Sequence, residues 1–308
     1  MANLTLLDIA KLNGSDQVVG LIEEVITSAP EMQVIPARTI RGTSFRTVKR
    51  TGLPTTGFTS ANEGIAASKS AFDTDLVQCY IFRGRVEVDK AVADAHEDGA
   101  ANVQAIEASG TMMSALIEIG SQIYYGTSNE AKGFPGLQAL VNSSIVVDAG
   151  GTTESTASSV YGVKFGDQFC QLVMGNGVGF EMSDWRVESV TDSGGTNKFP
   201  GYVSDLSAWI GLQVANPYSI GRLKDATADS DKGVTDAKLG ELLSKFPVGI
   251  KPDVWFMNRR SAYQLQASRS ATTYRKGAAG AIWAPQPTES NGIPIVVTDS
   301  ITNTETLS

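Results

Sequence analysis

Residues 103–126 read VQAIEASGTMMSALIEIGSQIYYG. Within them Val103, Ile106, Gly110, Met113, Ile117, Gly120 and Tyr124 recur at steps of three and four, the spacing that lines up one stripe of an α-helix. The helical pattern begins near Asp89, so Asp89 to Tyr125 is predicted to be mainly helix, with Val103, Ile106, Met113 and Ile117 facing a β-sheet of their own subunit. Gly99, Gly110 and Gly120 oppose that reading, since each costs roughly 1 kcal/mol against Ala inside a helix, and they mark places for a kink or close packing.

Upstream the composition changes. From Met32 to Asn62 there is no acidic residue, while Arg38, Arg41, Arg46, Lys49 and Arg50 supply five positive charges. Imperfect alternation over Thr39–Leu53 and a strand-like run over Leu76–Asp89 predict a long two-stranded hairpin with a loose tip. A lone hairpin is marginal in water, and this one has too few apolar residues for a core, so it is expected to lie on another chain. Before it, Leu6, Leu7, Ile9 and Ala10, then Val18, Ile22, Val25 and Ile26, predict amphipathic helix in two pieces over residues 5–29, stopped by Pro30 and Pro36.

Downstream, strand-like runs at Ser144–Val147, Phe169–Met174, Val178–Glu181 and Ile293–Val297 alternate with glycine-rich turns. Thr235 is placed to cap a helix carrying Leu239, Leu242, Leu243 and Phe246, and Asn258 to cap another. The class is α+β.

Charge and composition exclude several functions. The 308 residues carry a net charge of -8, which repels nucleic-acid phosphates. No apolar run approaches the roughly 20 residues that cross a bilayer, and Val18–Ile26 is broken by Glu23 and Glu24, so neither membrane span nor signal peptide is expected. Cys79 and Cys170 form no metal-binding spacing, and His96 is the single histidine, so no metal, cofactor or catalytic set is assigned.

Four local patterns read as structure. Gly175-Asn176-Gly177-Val178-Gly179 lacks the third glycine and following helix of a phosphate loop, and is expected to be a tight hairpin between two strands. Asp229-Ser230-Asp231-Lys232-Gly233 fails the calcium-loop carboxylate count and reads as an exposed turn. His96, among Asp94, Glu97 and Asp98, reads as part of a solvated or intersubunit helix face. Trp185, Trp209, Trp255 and Trp283 read as packing residues.

Taken in order, certain segments resemble the major capsid proteins of tailed bacteriophages with the Hong Kong 97 fold. They are Ile123-Tyr124-Tyr125-Gly126 followed by Gly133-Phe134-Pro135-Gly136-Leu137; Val163-Lys164-Phe165-Gly166-Asp167; Trp209-Ile210-Gly211-Leu212-Gln213-Val214; and Val254-Trp255-Phe256-Met257-Asn258-Arg259 before Pro294-Ile295-Val296-Val297-Thr298-Asp299. The resemblance implies an N-terminal arm over 1–38, an extended β-hairpin E-loop over 39–88, a peripheral domain with a long spine helix over 89–129, and an axial domain over 130–308 with segments returning to the peripheral domain. It implies a structural protein, not an enzyme, that assembles in hexamers and pentamers into an icosahedral virion head around double-stranded DNA, held without sequence-specific contacts.

Portal protein, a separate scaffolding protein and decoration proteins are the other implied partners, with assembly in the host bacterial cytoplasm. Family geometry lays one subunit's hairpin across its neighbour's spine. On that basis Arg38, Arg41, Arg46, Lys49 and Arg50 are expected to meet Asp89, Asp94, Glu97 and Asp98 of a neighbour. The competing readings are an encapsulin-like compartment holding enzyme cargo, which would contain protein rather than nucleic acid, and a metal-independent hydrolase, which would elute as a monomer.

Overall fold

The computed structural model describes Asp8, Thr27 and residues 29–192, 194–275 and 284–307. The helix expected over 5–29 lies almost entirely outside the described residues, as does Trp283.

Two sheets and a projecting hairpin make up the chain. The first sheet contains β1 (Ala37–Thr39), β4 (Tyr80–Asp89), β7 (Cys170–Met174), β8 (Glu181–Met182), β9 (Arg186–Thr191) and β10 (Lys198–Val214). The second contains β5 (Val146–Asp148), β6 (Ser158–Val163), β11 (Ile220–Ala226), β12 (Val254–Met257), β13 (Glu289–Ser290) and β14 (Ile293–Val297). β2 (Ser44–Gly52) and β3 (Ala71–Gln78) pair only with each other.

β10 organises the first sheet. Along one edge it pairs antiparallel with β4, from Gly201 opposite Asp89 to Ile210 opposite Tyr80. Along the other it takes β9, β8 and β7 in succession. The glycine-rich run 175–179 is therefore not a hairpin between paired strands. It is an excursion between two strands that share an edge of β10, turned by Asn176 and Gly177 at φ 59° and 74° and tied down by Gly177 N–H donating to Ile40 O at 2.7 Å.

The strand expected over Leu76–Asp89 is also divided. Cys79 interrupts it: buried, with its N–H donating to Thr43 O at 2.8 Å, it separates β3 from β4. Only 44–78 projects as a hairpin. Val86 and Val88 of β4 are buried in the chain's own body, correcting the expectation that all of 39–88 lies on another chain.

The long helix runs Ala100–Tyr125. Val103, Gly120 and Tyr124 of the expected stripe are buried, but Ile106, Met113 and Ile117 are half-buried and Gly110 is exposed. The reason is a change of surroundings along the axis. The first half lies over β4, where Gly84 allows Thr111 to approach. The second half enters the junction of the two sheets and is covered on several sides, so Ile119, Gln122, Ile123 and Tyr124 are all buried. There Ile123 and Tyr124 share one core with Tyr161 and Val163 of β6, Leu172 of β7, Ile210 of β10 and Phe256 of β12. The Tyr124 ring lies 5.3 Å from Tyr161 and 6.0 Å from Phe256.

A second core lies on the other side of the second sheet. Leu239, Leu242 and Phe246 are buried with Trp255, beneath the helix Asp236–Ser244. The Thr235 hydroxyl caps it, accepting from Lys238 N–H at 3.3 Å, and Asn258 Oδ1 accepts from Ser261 N–H at 2.8 Å at the start of Arg259–Arg275. The bulky residue Trp255 is fully buried, its indole N–H donating to Ser290 O at 3.1 Å.

Candidate interaction surface

Because successive side chains of a strand point to opposite sides, the hairpin sorts its residues onto two faces. One face pairs Phe45 with Val77, Thr47 with Asp75 and Lys49 with Asp73; the other pairs Arg46 with Leu76, Val48 with Thr74 and Arg50 with Phe72. The first face is anchored at its root, where Val77 and Phe45 pack with Cys79, Val173 and Trp209, and farther out Lys49 forms an ion pair with Asp75. The second is open, with Val48 70%, Phe72 62% and Leu76 60% exposed.

The expected cations are thus divided. Arg46 and Arg50 share the open face, with Arg50 5.6 Å over the Phe72 ring, while Lys49 is committed to Asp75 on the other. Arg38 lies on β1, 5.4 Å over the Phe45 ring, and Arg41 is exposed between β1 and β2. Neither Arg41 nor Arg46 has a carboxylate partner among the described residues. Val48, Phe72 and Leu76 are surface residues that the sequence reading did not single out. Their one signal was alternation, which shows that two faces exist but not which is open.

The expected acids sit elsewhere. The hairpin roots at the Tyr80 end of β4, and the acidic residues begin at its Asp89 end, nine strand steps or about 30 Å away. Asp89 caps the short helix Lys90–Asp94 by accepting from Ala91 N–H at 2.8 Å. Asp94 pairs with Lys90 at 2.6 Å and accepts from the Tyr202 hydroxyl at 3.2 Å; the Lys90 bond holds its carboxyl below the ordinary aspartate range. Glu97 and Asp98 are exposed, and Asp98 accepts from Asn102 Nδ2 at 3.4 Å. His96, expected on a solvated or intersubunit face, is instead buried, with Nδ1 accepting from Asp98 N–H at 3.1 Å in the turn before the long helix.

The hairpin ends in an irregular tip over residues 53–70, closed where Thr55 N–H donates to Ser68 Oγ at 2.7 Å. Leu53, Phe58 and Ile65 are exposed there, Phe58 completely. Beside the hairpin root a cleft of about 680 Å³ is lined by Tyr80, Ile81, Phe82 and Arg83 on one side and by the helix segment from Glu118 to Gln122 and the loop from Glu130 to Phe134 on the other. That loop is fastened to the helix: Gln122 Nε2 donates to Phe134 O at 2.9 Å, and Asn129 Nδ2 to Glu118 Oε1 at 2.7 Å.

The described residues contain no group of three potential metal ligands. Both cysteines are buried, and burial pushes the Cys170 thiol up to about 12. The Asp229 carboxylate, considered for calcium, is occupied by hydrogen bonds from Thr152, Thr153 and Thr227, including Thr153 Oγ1 at 2.7 Å and Thr152 N–H at 3.0 Å. These bonds hold its carboxyl far below the ordinary 3.8. A depressed carboxyl contributes stability above its unfolded value and loses it as pH falls toward the folded one. Asp229→Asn should therefore lower the melting temperature at pH 7. The difference from wild type should shrink on acidification below about pH 4; a pH-independent difference in thermal scans would contradict this.

Comparison with known proteins gives a consistent result. Residues 14–307 match the family model described as Major capsid protein GP7. No curated protein matches the chain. Among solved structures, that of bacteriophage Epsilon15 superposes with a TM-score of 0.72 at 18% identity, covering 99% of this chain and 97% of that one. The bacteriophage JBD30 capsid gives 0.51 at 11% identity, covering 97% and 99%. At these identities the likeness is one of fold. The SrpI encapsulin of Synechococcus elongatus gives 0.46 at 8% identity, covering 72% and 95%, too slight to support the compartment reading.

Proposed function

The chain belongs to the Major capsid protein GP7 family, and from that premise we propose how this phage capsid protein, with its Hong Kong 97 fold, builds a shell. Subunits join as hexamers and pentamers of an icosahedral head, each sending the hairpin Ser44–Gln78 onto a neighbour. Residues 1–38 act as the arm, 39–88 as the E-loop segment, 89–129 as the peripheral domain with its spine helix, and 130–308 as the axial domain with returning segments. The observation that carries the reading is the hairpin's open face, where Val48, Phe72 and Leu76 are exposed beside Arg46 and Arg50. Exposed apolar side chains in one patch mark a contact surface.

The head holds double-stranded DNA, and the acidic subunit suits this, since a lining that repels phosphate lets the genome slide. Assembly takes place in the host cytoplasm, with a portal protein, a separate scaffolding protein and, where present, decoration proteins. Within the shell Arg41, Arg46 and Arg50 meet acids of a neighbouring spine. The acids are Asp89, Asp94, Glu97 and Asp98, of which Glu97 and Asp98 lie exposed in the turn before the long helix.

Charge reversal tests this. Arg46→Glu with Arg50→Glu removes two exposed pairs, together roughly 1 kcal/mol per contact or about a fivefold weaker association at each. The yield of closed shells by negative-stain microscopy should fall while the subunit's melting temperature holds. Glu97→Lys with Asp98→Lys should partly restore it. Normal shells from the first pair of changes would defeat the proposed pairing.

A further inference from the structure

We infer that Glu31, Tyr124 and Ser300 form an internal site for a monovalent alkali cation, sodium or potassium, which fastens the segment leading into β1 to the body of the subunit. Glu31 opens the short helix Glu31–Val34 and is fully buried. A carboxylate removed from water is costly unless it is paired. Yet Glu31 has no cationic partner among the described residues. Its Oε1 accepts from the Thr298 hydroxyl, while its Oε2 is buried with no hydrogen-bond partner among those residues.

Two more buried oxygens without partners gather around this carboxylate. The first is the Tyr124 hydroxyl. Burial, and after it the neighbouring Glu31 carboxylate, push this phenol well above the ordinary tyrosine range. A phenol beside a carboxylate ordinarily donates to it. Here the two groups are neighbours without a hydrogen bond of good geometry, as expected of two oxygens that face a third body.

The second is Ser300 Oγ, and its place is fixed from two directions. The Ser300 N–H donates at 3.0 Å to Thr298 Oγ1, the same hydroxyl that holds Glu31. A Cβ on Gly120 would collide with Ser300 Oγ, and Gly120 lies one turn before Tyr124 on the long helix. A carboxylate from before β1, a phenol from the long helix and a hydroxyl from the C-terminal segment are thus brought together inside the protein.

The donor set selects the ligand. Oxygens alone suit a hard cation, and a set with one carboxylate and no histidine or cysteine falls short of a zinc or calcium site. A single negative charge is neutralised by a monovalent ion, whereas a divalent ion would leave net charge buried. A hydroxyl has two lone pairs beside its proton, so Tyr124 and Ser300 can face a cation and still donate elsewhere.

The test is thermal denaturation of the full-length subunit, purified in choline chloride and then supplied with sodium, potassium or further choline chloride at equal ionic strength. A ligand that binds only the folded state stabilises it by mass action, so wild type should melt at least about 3 °C higher in sodium or potassium than in choline. Glu31→Gln keeps the shape of the side chain and removes its charge, and should abolish that increment. Tyr124→Phe and Ser300→Ala each remove one oxygen and should raise the salt concentration needed for half the increment by about tenfold. Asp229→Asn, at a carboxylate committed to threonines elsewhere, should retain the full increment.

Equal melting of wild type in all three salts would overturn the site. A sodium or potassium increment that survives in Glu31→Gln would put the ion elsewhere and overturn it equally. Should Glu31→Gln fail to fold, the hydroxyl variants decide: an unchanged salt midpoint in both Tyr124→Phe and Ser300→Ala would overturn the assignment.

Discussion

Gly126→Ala should yield little or no folded subunit. Gly126 ends the long helix at φ 56° and ψ -129°, a conformation that side-chain-bearing residues avoid. A Cβ there would lie 2.8 Å from Gly136 Cα and from the Pro135 carbonyl carbon, and closer still to Gly136 N. Reciprocally, a Cβ on Gly136 would lie 2.7 Å from Tyr124 O. Two backbones cross at this point with no room for a methyl group. The atoms in the way are main chain, which moves only if the helix end and the Phe134–Leu137 segment separate. Strain from this positive-φ conformation, ~1–3 kcal/mol, adds to overpacking of ~1–3 kcal/mol or more. A loss of about 4 kcal/mol approaches the whole stability of many domains.

Gly110 on the same helix supplies the control. It is exposed, has a helical neighbourhood and would place its Cβ in open space. Gly110→Ala should stabilise the subunit by about 0.5–1 kcal/mol through helix propensity. Thermal denaturation of both variants checks the pair. A Gly126→Ala protein that melts with wild type would mean that the crossing is not as close as described.

The second large effect is expected at Glu305. Its carboxylate is buried and accepts from Arg222 Nη2 at 3.2 Å, Ser159 Oγ at 2.6 Å and the Tyr125 hydroxyl at 2.8 Å. Arg222 in turn donates through Nε to Ser159 Oγ at 3.0 Å and lies 6.0 Å over the Tyr161 ring. The network joins the C-terminal segment, the end of the long helix and β6 and β11 of the second sheet. Removing one member leaves the other charge buried and unpaired, which costs about 3–5 kcal/mol. Glu305→Ala should therefore destabilise the subunit by that amount in denaturant titration. Replacing both charges by apolar residues, Arg222→Met with Glu305→Leu, should cost less than the single change, because no buried charge is then stranded. A double variant that loses more than Glu305→Ala would show that the pair contributes net stability of its own.

Several parts of the molecule were legible in the residue order. The long helix, the caps at Thr235 and Asn258, and the buried stripe Leu239, Leu242 and Phe246 all follow from local chemistry, in which a side chain within one or two turns satisfies a neighbour. The family likeness was also legible, because it resides in ordered short segments such as Ile123–Gly126 and Gly133–Leu137. Those are the segments whose glycines cross in the fold. Glu305 gave no signal, since the residues that surround it are 83 to 180 positions away in the chain.

The sequence by itself determined the long helix, the two capped helices, the strands at either end of the hairpin and the excess of cations in the acid-free stretch, since these depend on neighbours within a few residues, whereas the long strand β10 carried no pattern that set it apart. Only the tertiary structure decided how those elements were shared out. It divided Leu76–Asp89 at Cys79 between a projecting hairpin and a core strand, because β10 offered an edge to Tyr80–Asp89 and none to Ala71–Gln78. It turned the glycine run 175–179 into an excursion, because β7 and β8 both pair with the one long strand. It also chose which cations remain available: Lys49 and Arg46 are three residues apart in the same run, yet the pleat places Lys49 beside Asp75 and leaves Arg46 on the open face. Alternation along a strand specifies two faces, and which of them a neighbour covers is settled only when the strand is set against the rest of the chain.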